Sequence, residues 1–137
     1  MIEPTIALAT AMRAVLIATP AVTDLVPADH IRAGSARPDR TPAIIIADGS
    51  TAFHGHDYTA QRAAWVFTDL HVWTLDAGQE AAKTIAFAVR NALDKAPPAD
   101  GFTIEDFKIT RAVFPRDPDP RYGHGVLSVE ALIRWSI

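Results

Sequence analysis

The 137-residue chain has 13 Lys and Arg against 16 Asp and Glu, a formal charge of −3, and 49% of its residues are hydrophobic. These values are typical of one globular domain and exclude the strong basic excess by which many proteins hold nucleic acid. The absence of cysteine excludes disulfides and thiolate chemistry, while short apolar runs and an N-terminus unlike a secretory signal predict a soluble protein made in the cytoplasm.

The first part of the chain predicts a helix followed by irregular backbone. Residues 5–18 form an amphipathic pattern, because four apolar residues gather on one helical face: Leu8, Met12, Val15 and Leu16. Thr19 and Pro20 end this helix and begin a short helical turn over 21–25. Residues 27–42 are rich in proline and glycine, and only 30–33 look extended.

The middle of the chain predicts two strands separated by a long loop. Residues 43–47 include three consecutive isoleucines and predict a strand that is buried on both faces. The loop over 49–60 contains aromatic residues and histidines, which favours contact with a partner. Residues 62–75 predict a strand, and their even spacing places three aromatic side chains on one face: Trp65, Phe67 and Trp73.

The last part of the chain predicts a helix and two strands. Residues 79–95 carry a helical apolar stripe, with Glu80 near the start and Arg90 near the end, as the helix dipole favours. Residues 102–114 and 124–135 predict two strands of a hairpin joined by a polar turn. The final strand alternates, with five residues on one side: Leu127, Val129, Ala131, Ile133 and Trp135.

Together these elements predict a single α+β domain over residues 1–137. Its order is α-β-β-α-β-β, with a mostly antiparallel sheet of about four strands and two helices packed on one face. The other face carries mixed polar and aromatic side chains. We therefore expect it to be an interaction surface.

Catalytic chemistry finds little support in the sequence. His54 and His56 are the sharpest metal candidates, but a metal site needs three or four ligands, and none of the possible additional ligands has a recognisable spacing: Asp57, His71 and His124. Asp117 and Asp119 lie between prolines in the last turn, where we expect water to level their acidities. No serine lies in a nucleophile elbow. We therefore predict that the protein is not an enzyme and has no cofactor.

Two further groups of residues have more than one interpretation. Arg32, Arg37 and Arg40 form a basic segment that can touch phosphates with Arg62, although a solvated loop is the favoured interpretation. Tryptophans on one strand face suit a core, a subunit interface, or the apolar pocket of a dimeric ligand-binding module.

Several segments resemble the small tail-completion or tail-terminator proteins of long-tailed phages, prophages and phage-like gene transfer agents. The opening of the chain resembles that family's first helix and short strand, and 42–46 resembles its proline-led second strand. The central match is a strand–loop–helix pattern: Leu70, His71, Val72, Trp73, Gly78, Glu80, Ala81, Ala82, Ala92 and Leu93. The turn at 117–121 and the strand from His124 resemble the family's last turn and strand, so the resemblance covers nearly the whole chain.

This resemblance implies a structural virion protein that forms a ring, usually a hexamer, at the neck of the particle. The ring caps the tail tube of major tail protein, stops its elongation and joins the tail to the head-side connector or stopper, and DNA passes through its lumen without sequence-specific binding. The family assembles in the bacterial cytoplasm and then lies at the head–tail junction, with no membrane partner.

The residues that we expect to contact other subunits or rings lie in the long loop, at the start of the following strand and in the last turn: Phe53, His54, His56, Tyr58, Arg62, Arg116, Asp117, Asp119 and Arg121. The alternatives are a neighbouring stopper or adaptor ring and a small metal-dependent hydrolase that uses His54 and His56.

Overall fold

The computed structural model describes residues 2–34, 37–53, 61–76 and 78–136. Within these residues, three α-helices pack on one side of a six-stranded sheet. The helices are α1 (Pro4–Ile17), α2 (Pro20–Thr23) and α3 (Glu80–Ala92). The strands are β1 (Ile31–Ala33), β2 (Ala43–Ile46), β3 (Ser50–Phe53), β4 (Gln61–Thr74), β5 (Thr103–Val113) and β6 (Gly123–Ser136), and a 3-10 turn, Ala28–His30, precedes β1.

The sheet is mixed and has the strand order β1-β2-β4-β6-β5. β1 and β2 run parallel, while the other neighbouring strands run antiparallel. The central strand β4 pairs with β6 along its whole length. Its other edge is shared by β2, beside residues 70–73, and β3, beside residues 64–67. The predicted terminal hairpin is confirmed by the pairing of β5 with β6.

The α+β class is confirmed, but the predicted sheet of about four mostly antiparallel strands is too simple. The predicted order α-β-β-α-β-β omitted β3, while the short helical turn expected over 21–25 and the extended piece expected at 30–33 are confirmed as α2 and β1. β3 has only four residues, which is too short for hydrophobic periodicity to identify it. β3 also lies within the predicted 49–60 loop, and the rest of that loop, 54–60, lies outside the described residues.

The two long central strands separate a buried face from an open one. In β4, alternate side chains enter the core beneath the helices: Val66, Leu70 and Val72. They pair with Ala131, Leu127 and Gly125 of β6. The predicted alternation of β6 is confirmed by its burial pattern, although Leu132 is also buried from the opposite face.

The helices bury the stripes predicted from their spacing. α1 begins at Pro4, and the carboxylate of Glu3 accepts a hydrogen bond from the Thr5 N–H at 2.9 Å. Its Leu8, Met12 and Leu16 enter the core. The predicted stripe of α3 is buried in full: Ala82, Ile85, Ala86, Val89 and Leu93. None of the described helices has the length and apolarity needed to cross a membrane.

The opposite face of the sheet, here called the open face, carries no packed helix in the described part of the chain. Trp65, Phe67 and Trp73 share this face, as their even spacing predicts. Trp65 and Phe67 stack with ring centroids 6.5 Å apart, and Phe67 is 43% exposed. Trp73, in contrast, is only 8% exposed. The residues that cover Trp73 therefore distinguish one end of the open face from the other.

Candidate functional site

The predicted contact residues do not form one site. Phe53 ends β3 at one edge of the sheet, and Arg62 is half-buried at the start of β4. The remaining described candidates lie together in the connection between β5 and β6: Arg116, Asp117, Asp119 and Arg121. His54, His56 and Tyr58 lie outside the described residues.

The metal-dependent hydrolase therefore stays an untested prediction. Among residues 2–34, 37–53, 61–76 and 78–136, no group of three or more His, Asp or Glu side chains is arranged to hold a metal ion. Metal analysis of the purified protein, compared with His54→Ala, addresses the histidines outside these ranges. Zinc or manganese bound stoichiometrically and lost in the variant would support the hydrolase.

The β5–β6 connection is held rigid by its own carboxylates. Asp117 accepts a hydrogen bond from the N–H of Asp119 at 2.9 Å and pairs with the guanidinium of Arg37. Asp119 accepts hydrogen bonds from the Arg121 side chain, the shortest at 2.7 Å, and these bonds lower the pKa of Asp119 to about 2. The Arg121 side chain is nevertheless 73% exposed. The turn is pre-organised and presents a cation to the outside.

Two expectations about this region were wrong. The side chain of Asp117 is only 4% exposed, so Asp117 is not a solvated turn residue. Arg37 is not part of a solvated basic loop, because it reaches across the open face to Asp117, 80 residues later in the chain. Arg40 instead forms an exposed pair with Asp29. No periodic signal could reveal a contact between two irregular segments so far apart in sequence.

A compact group of side chains, here called the Trp73 cluster, covers one end of the open face. It consists of Arg37, Trp73, Asp117, Tyr122 and His124. The rings of Trp73 and His124 stack in parallel with centroids 3.8 Å apart, and Tyr122 meets Trp73 edge-on at 6.2 Å. The Arg37 guanidinium lies 5.1 Å from the centroids of Trp73 and Tyr122, within cation–π range. The cluster fastens the segment around Arg37 and the β5–β6 turn to the sheet.

A histidine pair extends the cluster. His71 Nδ1 lies 2.9 Å from His124 Nε2, which requires one ring to donate and the other to accept a hydrogen bond. Burial, together with the neighbouring His71 and Arg37, lowers the pKa of His124 to about 4, against the attraction of Asp117. Burial also lowers the pKa of His71, against the attraction of Asp69. The pair is therefore neutral at neutral pH. Its hydrogen bond ties β6 to β4 beside Trp73.

Other surfaces of the described residues also expose large apolar side chains. Phe53 is 74% exposed and Phe87 is 68% exposed. Phe87 borders a cleft of about 390 Å³ between α3 and β5, here called the α3–β5 groove, with apolar walls that include Ala86, Ile109, Ala112 and Phe114. Contiguous exposed apolar surface of this kind marks contact sites. Phe87 was not predicted as a contact residue, although its position outside the buried stripe of α3 indicates that this large apolar side chain is exposed.

Comparisons with known proteins give one family match and two structural likenesses. The model of the family described as tail completion protein gp17 matches residues 10–134. No curated protein matches the sequence. A chain in the solved virion of a native gene transfer agent particle is 21% identical with a TM-score of 0.79, covering 93% of this chain and 95% of that one. The solved gp17 protein of bacteriophage SPP1 is 24% identical with a TM-score of 0.55, covering 98% and 91%. These structural likenesses show the fold.

Proposed function

The chain belongs to the tail completion protein gp17 family and is a structural protein of phage or phage-like tails, and from this premise we propose that it acts as a tail terminator. In this role a ring of identical subunits caps the tail tube, stops its elongation and joins the tail to the head-side connector. The observation that carries the proposal is the family match, which extends from α1 to β6.

The geometry supports assembly through more than one surface. A closed ring of identical subunits needs two different contact patches on each subunit, because each copy meets its neighbours head to tail. Exposed apolar side chains occur at separate places, including Phe53 in β3 and Phe87 in α3. The Trp73 cluster holds the β5–β6 turn in place, so exposed residues of that turn can meet an adjoining ring without first becoming ordered.

The charges of the chain fit a lumen through which DNA slides. The formal charge is −3, and several cations on the open face are paired with carboxylates. Lys108 lies 3.4 Å from Glu130, and Arg134 lies 3.1 Å from Glu105. Paired cations neutralise few phosphates, so DNA in contact with this face would be held weakly.

The proposed partners are further copies of the chain, most simply as a hexamer, together with the major tail tube protein and the head-side connector or stopper. Of the predicted contact residues, Phe53, Arg116 and Arg121 are exposed and suited to direct contact. Asp117 and Asp119 act instead by shaping the turn. We place assembly in the bacterial cytoplasm and the finished ring at the head–tail junction.

The test is a deletion of the gene in the strain that produces the particles, followed by electron microscopy of the products. A tail terminator predicts tails of uncontrolled length that are not joined to heads, and complementation with the wild-type gene restores joined particles. The charge-reversed pair Arg116→Glu and Arg121→Glu should restore tail length control less completely than wild type, because the exposed cations of the turn are lost. Normal joined particles in the deletion strain would exclude the proposal.

The same experiment separates the neighbouring stopper or adaptor role. Loss of a connector ring on the head side leaves tails of normal length beside heads that fail to retain DNA. Loss of the terminator changes the tail length itself. The distribution of tail lengths in the deletion strain therefore decides between the two rings.

A further inference from the structure

The α3–β5 groove combines an apolar floor with a basic rim. Lys83 and Arg90 of α3 and Arg111 of β5 line it, and the described residues that line it include no carboxylate. Lys83 lies 5.5 Å from the ring centroid of Phe114, and Arg90 pairs with Asp94 beyond the groove. The groove therefore suits an occupant that brings an apolar side chain together with negative charge.

The opposite edge of the sheet carries a matching projection, here called the Phe53 edge, formed by Phe53, Ile6 and Glu3. β3 pairs with β4 on the side away from β6 and β5. Phe53 is paired with Ala64, a core residue, so its side chain leaves the sheet on the face that carries the helices. Glu3 accepts a hydrogen bond from Thr51 at 2.6 Å, which brings the start of α1 to this edge.

The exposure and charge of this edge complement the groove. Phe53 is 74% exposed and Ile6 is 55% exposed. Glu3 and the exposed Asp48 contribute two carboxylates to this edge. Two cations lie near them: Arg62 on the same side of β4, and Arg13, which donates a hydrogen bond to the Ile31 carbonyl at 2.8 Å. The Phe53 edge and the α3–β5 groove thus lie on opposite sides of the central β4–β6 pair, both on the helix side of the sheet, and are two different patches of the kind that a head-to-tail contact uses.

We infer that the Phe53 edge of one copy docks into the α3–β5 groove of the next copy, and that repetition of this contact closes the ring. The inference rests on the proposed ring and deepens it by naming the two faces that meet. Phe53 fills the apolar groove beside Phe87, while Glu3 and Asp48 approach Lys83 and Arg111.

The edge strand β5 favours contact with a neighbouring copy through side chains over pairing with a strand of that copy. β5 is the terminal strand, and its register shifts twice against β6, between Glu105 and Lys108 and between Ile109 and Arg111. Asp106 has a φ of 43°, which tilts the backbone locally out of extended conformation. Bulges and charges of this kind prevent edge-to-edge strand pairing. A neighbour therefore meets this edge most readily by inserting side chains into the groove behind β5.

Engineered disulfides test the contact directly, since the chain has no cysteine of its own. One double variant carries both Phe53→Cys and Phe87→Cys, and two single variants carry one substitution each. Particles assembled with the double variant, with a mixture of the single variants, or with one single variant are oxidised. The double variant should give a covalent ladder that extends beyond the dimer. A mixture of the two single variants should give only dimers, and each single variant alone should give none. The same proteins are oxidised free in solution at high concentration.

Two matched controls sharpen the result. The first control combines Leu75→Cys with Phe87→Cys. Leu75 is another apolar residue, 63% exposed, that lies beside carboxylates, and we expect this double variant not to cross-link. Lys83→Glu in the groove should slow cross-linking by about threefold or more at low salt, whereas Lys108→Glu on the open face should leave the rate unchanged.

The outcomes separate this inference from the proposed function. If the double variant enters particles at the head–tail junction without forming a ladder, the docking inference is wrong while the terminator role stands. Dimers from a single variant would show a two-fold contact and would also overturn it. If the protein is absent from finished particles, the proposed function itself fails.

Discussion

Acidification should loosen the fold through the histidine pair of the Trp73 cluster. At neutral pH, His71 and His124 share a hydrogen bond of 2.9 Å, and His124 also stacks on Trp73. Protonation of both rings removes the acceptor and places two positive charges in contact, near the guanidinium of Arg37. The folded protein therefore resists protonation of His124, whereas the unfolded chain does not.

The sign and size of the effect follow from the pKa of His124. The pKa of His124 is about 4 in the folded protein, and the ordinary value for a histidine, which applies to the unfolded chain, is 6.5. Between these values the unfolded chain binds more protons, so the free energy of unfolding is highest above pH 6.5 and falls as the pH approaches 4. A fully buried ring would lose about 3 kcal/mol over this range. His124 is half-buried, and screening by water reduces the expected loss to about 1–2 kcal/mol.

Urea unfolding followed by tryptophan fluorescence measures this loss between about pH 7.5 and 4.5. The midpoint for the wild type should fall by about 0.5–1 M more than that of His124→Asn, for a slope of about 2 kcal/mol per molar urea. Asparagine keeps a polar partner for His71 but does not titrate, and the comparison cancels the carboxylates common to both proteins. If both proteins show the same pH dependence, the histidine pair does not carry the effect and the reasoning is wrong.

Two substitutions, each with a control, test the Arg37–Asp117 pair of the cluster and the packing of Gly123 at the start of β6. Arg37→Ala should lower the free energy of unfolding by about 1–3 kcal/mol in urea titrations, since it leaves a buried carboxylate unpaired. Arg40→Ala breaks only an exposed pair and should cost less than about 1 kcal/mol, so equal losses would contradict the buried pairing. Gly123→Ala should cost about 1–3 kcal/mol in thermal unfolding, because its Cβ would overlap the Thr74 hydroxyl. Gly78→Ala, with nothing within 4 Å of the added Cβ, should cost clearly less.

The elements that the sequence predicted well are long and periodic. β4 and β6 each have 14 residues, and alternation along them separates core side chains from those of the open face. α3 has 13 residues, and its five-residue apolar stripe is buried in full. Each such element repeats its pattern several times, so single exceptions such as Leu132 do not hide it.

The elements and contacts that the sequence did not predict are short or depend on partners far along the chain. β3 is recognised as a strand only because β4 lies beside it to pair with. From the sequence, Asp117 was expected to be a solvated turn residue, because no nearby residue indicates that it pairs with Arg37. Phe53 was predicted to make contacts from its loop, but its position at the sheet edge opposite the α3–β5 groove depends on the strand order.

The sequence by itself determined the faces of the long helices and strands, and its spacing of apolar residues indicated the family that the comparisons confirm. Only the tertiary structure decided that the sheet is mixed, that Arg37 contacts the last turn over Trp73, and that the Phe53 edge and the α3–β5 groove lie on opposite sides of the β4–β6 pair. The physical reason is that periodicity is a property of one element at a time. The register between elements, which brings distant side chains together, is set by pairing and packing of the whole chain.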